Sequence, residues 1–91
     1  MENDKLISLT TVVESYKVDR HFLSSLQEFG LLNVIIVENT PCIDLESLGD
    51  VEKMIRMHYE LDINLAGIDA ICNLLVKIKE MQEELNRLRR L

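Results

Sequence analysis

The sequence predicts a mainly α-helical domain, a winged helix-turn-helix with a small β-hairpin wing and a long C-terminal helix. Two short periodic apolar segments flank a three-residue break, a β-branched stretch is interrupted by turn residues, and the last third repeats apolar residues at helical spacing. The 91 residues are 47% apolar but only 4% aromatic, which predicts one small domain with an aliphatic core.

The first helix is predicted to follow a short strand or extended lead-in at residues 6–9. Thr10 or Thr11 is expected to cap it, because a hydroxyl can accept a hydrogen bond from a free amide at the start of a helix. The helix should run to about Tyr16, after which the letters KVD indicate a tight break.

The second helix is predicted over about residues 20–29. Asp19 is a good N-cap, and Gly30 stands where a helix end favours a left-handed residue. The apolar face of this helix is expected to consist of Phe22, Leu23, Leu26 and Phe29.

The wing is predicted from the letters VIIV, ENTP and CI, which are typical of a strand, a turn and a returning strand. Pro41 should then lie in the turn or on an edge, because it cannot donate a backbone hydrogen bond. An irregular loop is the alternative. The apolar residues here form either an exposed contact patch or core beneath the hairpin: Leu31, Leu32, Ile35 and Ile36.

Two more helices complete the chain. Asp44 is expected to cap a third helix to about Leu61, in which Gly49 marks either a close packing or a looser helix start. Asn64 should cap a fourth helix that continues to near the end of the chain. We therefore divide the chain into a body, residues 1–62, and a long C-terminal helix, residues 63–91.

The long helix carries an apolar seam with spacings of 3, 4, 3, 4 and 3, which is the a/d pattern of a coiled coil. A body of this size cannot cover it, so we expect a homodimer; a monomer whose helix folds back over its own domain is the alternative. Both parallel and antiparallel pairs remain open. The expected dimerisation residues are Ile71, Leu74, Ile78, Met81, Leu85 and Leu88.

Charge argues against a nucleic-acid partner and for a basic protein. The net charge is −6, and residues 1–62 contain 12 acidic and 5 basic side chains, a balance of −7. An acidic surface repels phosphate, so DNA binding is not expected. Contact with a basic partner is expected at Glu14, Asp19, Glu28 and Asp50, although each is also interpretable as a solvated surface side chain.

No pattern in the sequence predicts catalysis, a metal or a cofactor. Cys42 and Cys72 have no CxxC or Cys/His spacing and are interpreted as buried, reduced thiols. His58 has no partner motif and is expected to pack between helices, hydrogen-bonded to another element. The acidic N-terminus and the lack of a long apolar stretch lead us to expect a soluble cytoplasmic protein with no membrane contact.

The order strand, helix-turn-helix, wing, helix and long helix resembles the MerR-like winged-helix proteins. Within that class, the segment RMHYELDINLAGIDAICNLLVKIKEMQEELNRL is similar to the chaperone-modulator family CbpM. The matching positions are Arg56, His58, Leu61, Ile63, Asn64, Leu65 and Gly67.

This resemblance implies a function. CbpM-like proteins bind the J-domain of a DnaJ-like (CbpA-type) co-chaperone, which also binds DNA, and they inhibit it. MerR-like DNA-binding regulators place arginine and aromatic residues on the second helix; here that helix offers His21, Ser24 and Ser25, with Arg20 as its one full positive charge. The expected function is therefore a chaperone modulator, and a MerR-like DNA-binding transcriptional regulator is the alternative.

Overall fold

The structure of the protein is a computed structural model that describes residues 5–91. The elements follow the predicted order and start with a strand, so the lead-in to the first helix is β1. Their bounds are β1 Leu6–Ser8, α1 Leu9–Tyr16, α2 Arg20–Glu28, β2 Ile35–Val37, β3 Thr40–Asp44, a 3₁₀ turn Leu45–Ser47, α3 Leu48–Tyr59 and α4 Leu65–Arg89.

The first helix begins earlier than predicted. Ser8, and neither Thr10 nor Thr11, is its N-cap: the Ser8 hydroxyl accepts a hydrogen bond from the Thr11 amide at 3.1 Å. Ser8 is also the last residue of β1, so the strand passes directly into the helix without a linker. The break after α1 is made by Lys17, whose φ of 56° is left-handed.

The second helix confirms the predicted cap. The Asp19 carboxylate accepts a hydrogen bond from the His21 amide at 2.9 Å. The helix ends at Glu28, and Gly30 has a φ of 78°, a conformation that glycine adopts without the steric cost of a Cβ. Phe22, Leu23 and Leu26 are buried, but Phe29 is not.

The wing is a β-hairpin, as predicted, and it joins β1 in an antiparallel sheet of order β1-β3-β2. Glu38 and Asn39 both have positive φ and form the two-residue turn that suits the twist of a hairpin. Of the apolar residues near the wing, Leu32 is buried and Leu31 packs partly against the core, whereas Ile35 and Ile36 are exposed.

The placement of Pro41 differs from the prediction, because it lies inside the central strand β3. It pairs with Ile36 of β2, whereas β1 extends only as far as Cys42. In a two-residue hairpin the pair next to the turn is hydrogen-bonded and the following pair is not, so position 41 faces away from β2. Proline therefore removes no hydrogen bond from the ladder.

The third helix starts more loosely than predicted. Asp44 does cap a helix, but it is the 3₁₀ turn: its carboxylate accepts from the Glu46 amide at 2.9 Å. α3 then begins at Leu48 without a side-chain cap and ends at Tyr59 rather than near Leu61. A Cβ on Gly49 would contact nothing within 4 Å, so this glycine accompanies a loose helix start and not a close packing.

The core is aliphatic, as predicted, with Phe22 as its one aromatic member. It draws residues from α1, α2, β3, α3 and the first turn of α4, and it lies between the helices and one face of the sheet. Its fully buried side chains are Leu23, Leu26, Ile43, Ile68, Val12 and Val51.

A hydrogen bond between two side chains joins α1 to α3. The Tyr16 hydroxyl, at the end of α1, donates to the Glu52 carboxylate on α3. This bond is the main reason that the pKa of Tyr16 lies above its ordinary value, with smaller contributions from burial and from the negative charge of Glu52. Ionisation of the phenol would therefore cost the protein this hydrogen bond.

We expect Tyr16→Phe to lower the melting temperature at neutral pH and to flatten its decline in alkali. A folded-state pKa above the unfolded value means that this stabilisation is complete below about pH 10 and is lost as the pH rises through the folded pKa. Thermal melts from pH 7 to 11 measure it. Glu52→Gln, which keeps an acceptor but removes the charge, is the control. Parallel pH profiles for wild type and Tyr16→Phe would contradict the assignment.

Candidate functional site

The join between α3 and α4 is built around Asn64. Its side-chain oxygen accepts a hydrogen bond from the Gly67 amide at 2.8 Å, which confirms the predicted cap of the fourth helix. A Cβ on Gly67 would lie 2.7 Å from Cγ2 of Ile63 and 3.2 Å from the capping oxygen. Glycine at this position therefore allows the residues that precede the helix to close over its first turn.

His58 fixes the same join from the side of α3. Its Nδ1 lies 3.2 Å from the Ile63 carbonyl, and its ring stacks on Phe22 with centroids 4.5 Å apart. The ring thus packs between Phe22 of α2 and the join that precedes α4, in agreement with the predicted packing role. Because the stacked Phe22 is itself a core residue, His58 ties the join to the body.

A second contact ties the start of α2 to the end of α3. The Tyr59 hydroxyl accepts a hydrogen bond from the Asp19 amide at 3.0 Å, and its ring meets Phe22 edge to face. Asp19 therefore has two structural roles, one through its backbone and one as the cap of α2. The cap was predicted from the sequence, but the backbone contact was not evident, because Tyr59 lies 40 residues further along the chain.

The fourth helix projects from the body after its first two turns. Ile68 is fully buried, and Ile71 and Cys72 are half-buried, but every residue from Asn73 onwards is exposed. At 1.5 Å per residue its 25 residues span about 38 Å. The alternative in which the helix folds back over its own domain is therefore wrong.

The predicted seam lies on this projecting helix. Its later members are largely open to solvent, with Leu74 58% and Met81 68% exposed and Ile78, Leu85 and Leu88 each at about half. Only Ile71 is partly covered by the body. Leu75 and Val76 are exposed beside the seam and widen the apolar surface.

The four predicted partner-contacting residues are all exposed but do not form one cluster. Glu14 lies on α1, and Asp50 lies in the first turn of α3. Asp19 and Glu28 stand at opposite ends of α2, about 13 Å apart along its axis. No hydrogen bond or ion pair within residues 5–91 joins any two of them. Their role as a partner-binding set stays a prediction.

Asp50 borders a groove of about 660 Å³ between α3 and α4. Met54, Met57 and Leu75 make the groove apolar, and Lys53 and Lys79 are also part of its lining. Cys72 lines it as well; its thiol has a raised pKa, chiefly from burial and further from the carboxylates of Asp50 and Asp69.

Both thiols are free, as predicted, but only Cys42 is buried; Cys72 is half-buried, which differs from the prediction. Within residues 5–91, no three His, Cys, Asp or Glu side chains lie close enough to hold a metal ion. No described helix is both long and apolar enough to cross a membrane.

The segment that runs from α2 through the wing to α3 carries a charge feature that was predicted only for the helix. From His21 to Glu52 the chain contains no lysine or arginine. The same segment contains six carboxylates, and those that end α2, form the turn of the wing and cap the 3₁₀ turn are exposed: Glu28, Glu38 and Asp44. Counting charges along this segment would have found the feature before the structure was known.

Comparison with known proteins agrees with this architecture. A family model described as "MerR HTH family regulatory protein" matches residues 7–90. That range takes in the helix-turn-helix, the wing, the join and the whole of α4, and it confirms the predicted fold class. No curated protein and no solved structure matches the chain.

We expect Gly67→Ala to destabilise the protein by about 1–3 kcal/mol, because the new methyl would overlap the β-branched Ile63 and disturb the Asn64 cap. Gly49→Ala is the matched control: it lies in a helix with open space around it, and should be neutral or gain up to about 1 kcal/mol. Urea unfolding of both variants measures the difference. Equal stabilities would show that the close approach at the join is not needed.

Proposed function

Because the chain belongs to the MerR HTH family of regulatory proteins, we propose that it regulates through a protein contact and not through DNA. In its specific form the proposal is a cytoplasmic, non-enzymatic chaperone modulator. It binds the J-domain of a DnaJ-like (CbpA-type) co-chaperone and inhibits that protein's Hsp70 co-chaperone and DNA-binding activities.

The observation that carries this proposal is the charge on α2 and the wing. In a winged helix-turn-helix that binds DNA, the second helix enters the major groove and phosphate contacts supply much of the affinity. Here residues 21–52 contain no lysine or arginine. Arg20 stands at the start of α2, and its guanidinium lies 3.5 Å from the Thr10 hydroxyl. This surface suits a cationic protein better than a polyanion.

The join supports the more specific part of the proposal. The positions that resemble the CbpM family include His58, Ile63, Asn64 and Gly67. In the structure His58 meets the Ile63 carbonyl, Asn64 accepts from the Gly67 amide, and Ile63 lies against Gly67. They account for how α4 leaves the body. Their contacts explain why these residue types occur together, and the functional meaning comes from the resemblance alone.

The proposed mechanism is competition. The resemblance implies that a J-domain presents a basic helical face to Hsp70, and an acidic protein bound to that face blocks the encounter. Opposite charges raise the association rate and orient the two surfaces. Glu14, Asp19, Glu28 and Asp50 are the proposed contacts; of these, only Asp19 makes a hydrogen bond through its side chain within residues 5–91.

We also propose that the protein is a homodimer joined through α4. The exposed seam leaves several large apolar side chains in water, and burying one such side chain stabilises by about 1.5–3 kcal/mol. An antiparallel pair is favoured by charge. In an antiparallel pair the basic ends of the two helices, each with Arg87, Arg89 and Arg90, lie far apart. Each basic end then approaches the acidic body of the other copy.

The second candidate is a DNA-binding transcriptional regulator, which the family match itself favours. It requires α2 and the wing to meet phosphates without lysine or arginine over residues 21–52. The two candidates predict opposite behaviour toward duplex DNA.

We expect the purified protein to inhibit the J-stimulated ATPase of Hsp70 and to show no sequence-specific binding to duplex DNA at physiological salt. Glu14→Lys combined with Glu28→Lys should weaken inhibition several-fold, because it replaces two exposed negative charges with positive ones. Glu83→Lys on α4 is the control and should inhibit like wild type. Tight sequence-dependent binding to DNA, or no inhibition by wild type, would overturn the proposal.

For the dimer, we expect wild type to sediment as a dimer and the Ile78→Asp, Leu85→Asp variant as a monomer. The two charges lie on either side of Met81, and pairing the helices would bury them without a partner. Lys79→Asp changes the net charge by the same −2 but lies outside the seam, so it should remain dimeric. If wild type is also a monomer at tens of micromolar, the seam has another role.

A further inference from the structure

The free edge of the wing has the features of a strand-pairing surface. β2 lies at one edge of the three-stranded sheet, next to β3 only. Ile35 and Ile36 point to opposite faces of the sheet and are 46% and 63% exposed. β2 is short, with three residues, but it contains none of the lysines, prolines or charged side chains that also protect exposed edges.

The register shows which backbone groups this edge presents. The Val37–Thr40 pair flanks the turn and is hydrogen-bonded, the Ile36–Pro41 pair is not, and the ladder alternates from there. The amide and carbonyl of Ile36 therefore point away from β3, into solvent. Within residues 5–91 no other backbone or side-chain group takes them as a hydrogen-bond partner.

The charge near β2 indicates which kind of segment would bind at this edge. Glu38 lies at the turn directly after β2, and the exposed Asp44 ends the neighbouring strand. The absence of lysine and arginine over residues 21–52 leaves Glu38 without a cation nearby in sequence. Asp44 instead pairs with Leu6 of β1, next to the exposed Lys5, so Glu38 is the acidic group of this edge. A strand with an apolar centre and basic flanks matches both the isoleucines and Glu38.

We propose that the free edge of β2 binds an extended segment of a cationic protein, which adds to the sheet as a fourth strand. Main-chain hydrogen bonds to Ile36 would hold the segment, and its basic residues would meet Glu38. A winged helix-turn-helix that binds DNA uses its wing against phosphate; here the wing is a protein-docking edge. The inference goes beyond the proposed function, because it does not depend on a J-domain.

The test uses a labelled octapeptide in which four β-branched apolar residues are flanked by two lysines at each end. Fluorescence anisotropy with the full chain should show binding, and hydrogen exchange at the Ile36 amide should slow. Ile36→Pro removes the outward amide but no bond to β3, so it should weaken binding at least tenfold. Ile36→Val keeps the amide and should bind like wild type.

Two further measurements distinguish a specific loss of binding from misfolding of the wing in the proline variant. Glu38→Lys leaves the backbone unchanged and should weaken binding of the lysine peptide about threefold or more. A peptide with glutamates in place of the lysines should not bind wild type. The inference is overturned if Ile36→Pro folds and binds like Ile36→Val, or if both peptides bind equally well.

The outcome is separable from that of the proposed function, because the peptide assay contains no J-domain. If the peptide binds but the protein does not inhibit a J-domain protein, the proposed function is contradicted and strand pairing at β2 is supported. If the protein inhibits but the peptide does not bind, strand pairing at β2 is contradicted and the proposed function is supported.

Discussion

The packing of Ile68 determines the shape of the molecule. It is the one residue of α4 that is fully buried, and the cap at Asn64, the ring of His58 and the glycine at position 67 order the join that leads into its turn of the helix. The body is thereby complete after two turns of the helix. Every residue of α4 beyond Cys72 is exposed, so the apolar side chains on its remaining turns stay largely in solvent.

The projecting part of α4 and the rest of the chain expose surfaces with different chemistry. The projecting helix offers an apolar seam with a basic tip, whereas α2 and the wing offer carboxylates, two exposed isoleucines and no lysine or arginine over residues 21–52. A scaffold shared with DNA-binding regulators can serve another purpose when the charge of its contacting surface changes, because fold alone does not set function. Here the charge favours a protein partner.

Much of this architecture was predictable from the sequence because its signals are local. Asp19 and Asn64 cap the helices that follow them, Gly30 ends a helix, and the turn residues place the hairpin. The failures have physical causes. Ser8 ends a strand and caps a helix at once, and Pro41 is tolerated in a central strand because β1 stops short of it.

The candidate site was less predictable, because it depends on residues far apart in sequence. The contact of Tyr59 with Asp19 and the stacking of His58 on Phe22 join segments about 40 residues apart. The four predicted acidic contacts proved to be exposed but scattered, since charge counting locates no surface in space. The open edge at Ile36 required the strand register, which only the folded sheet supplies.

The claim that α2 and the wing face a protein is tested most directly by amide chemical shifts of the full chain, titrated separately with a purified J-domain and with duplex DNA at physiological salt. The J-domain should shift amides within residues 21–52, and DNA should leave them unmoved. Shifts of those amides by DNA, with none by the J-domain, would contradict it.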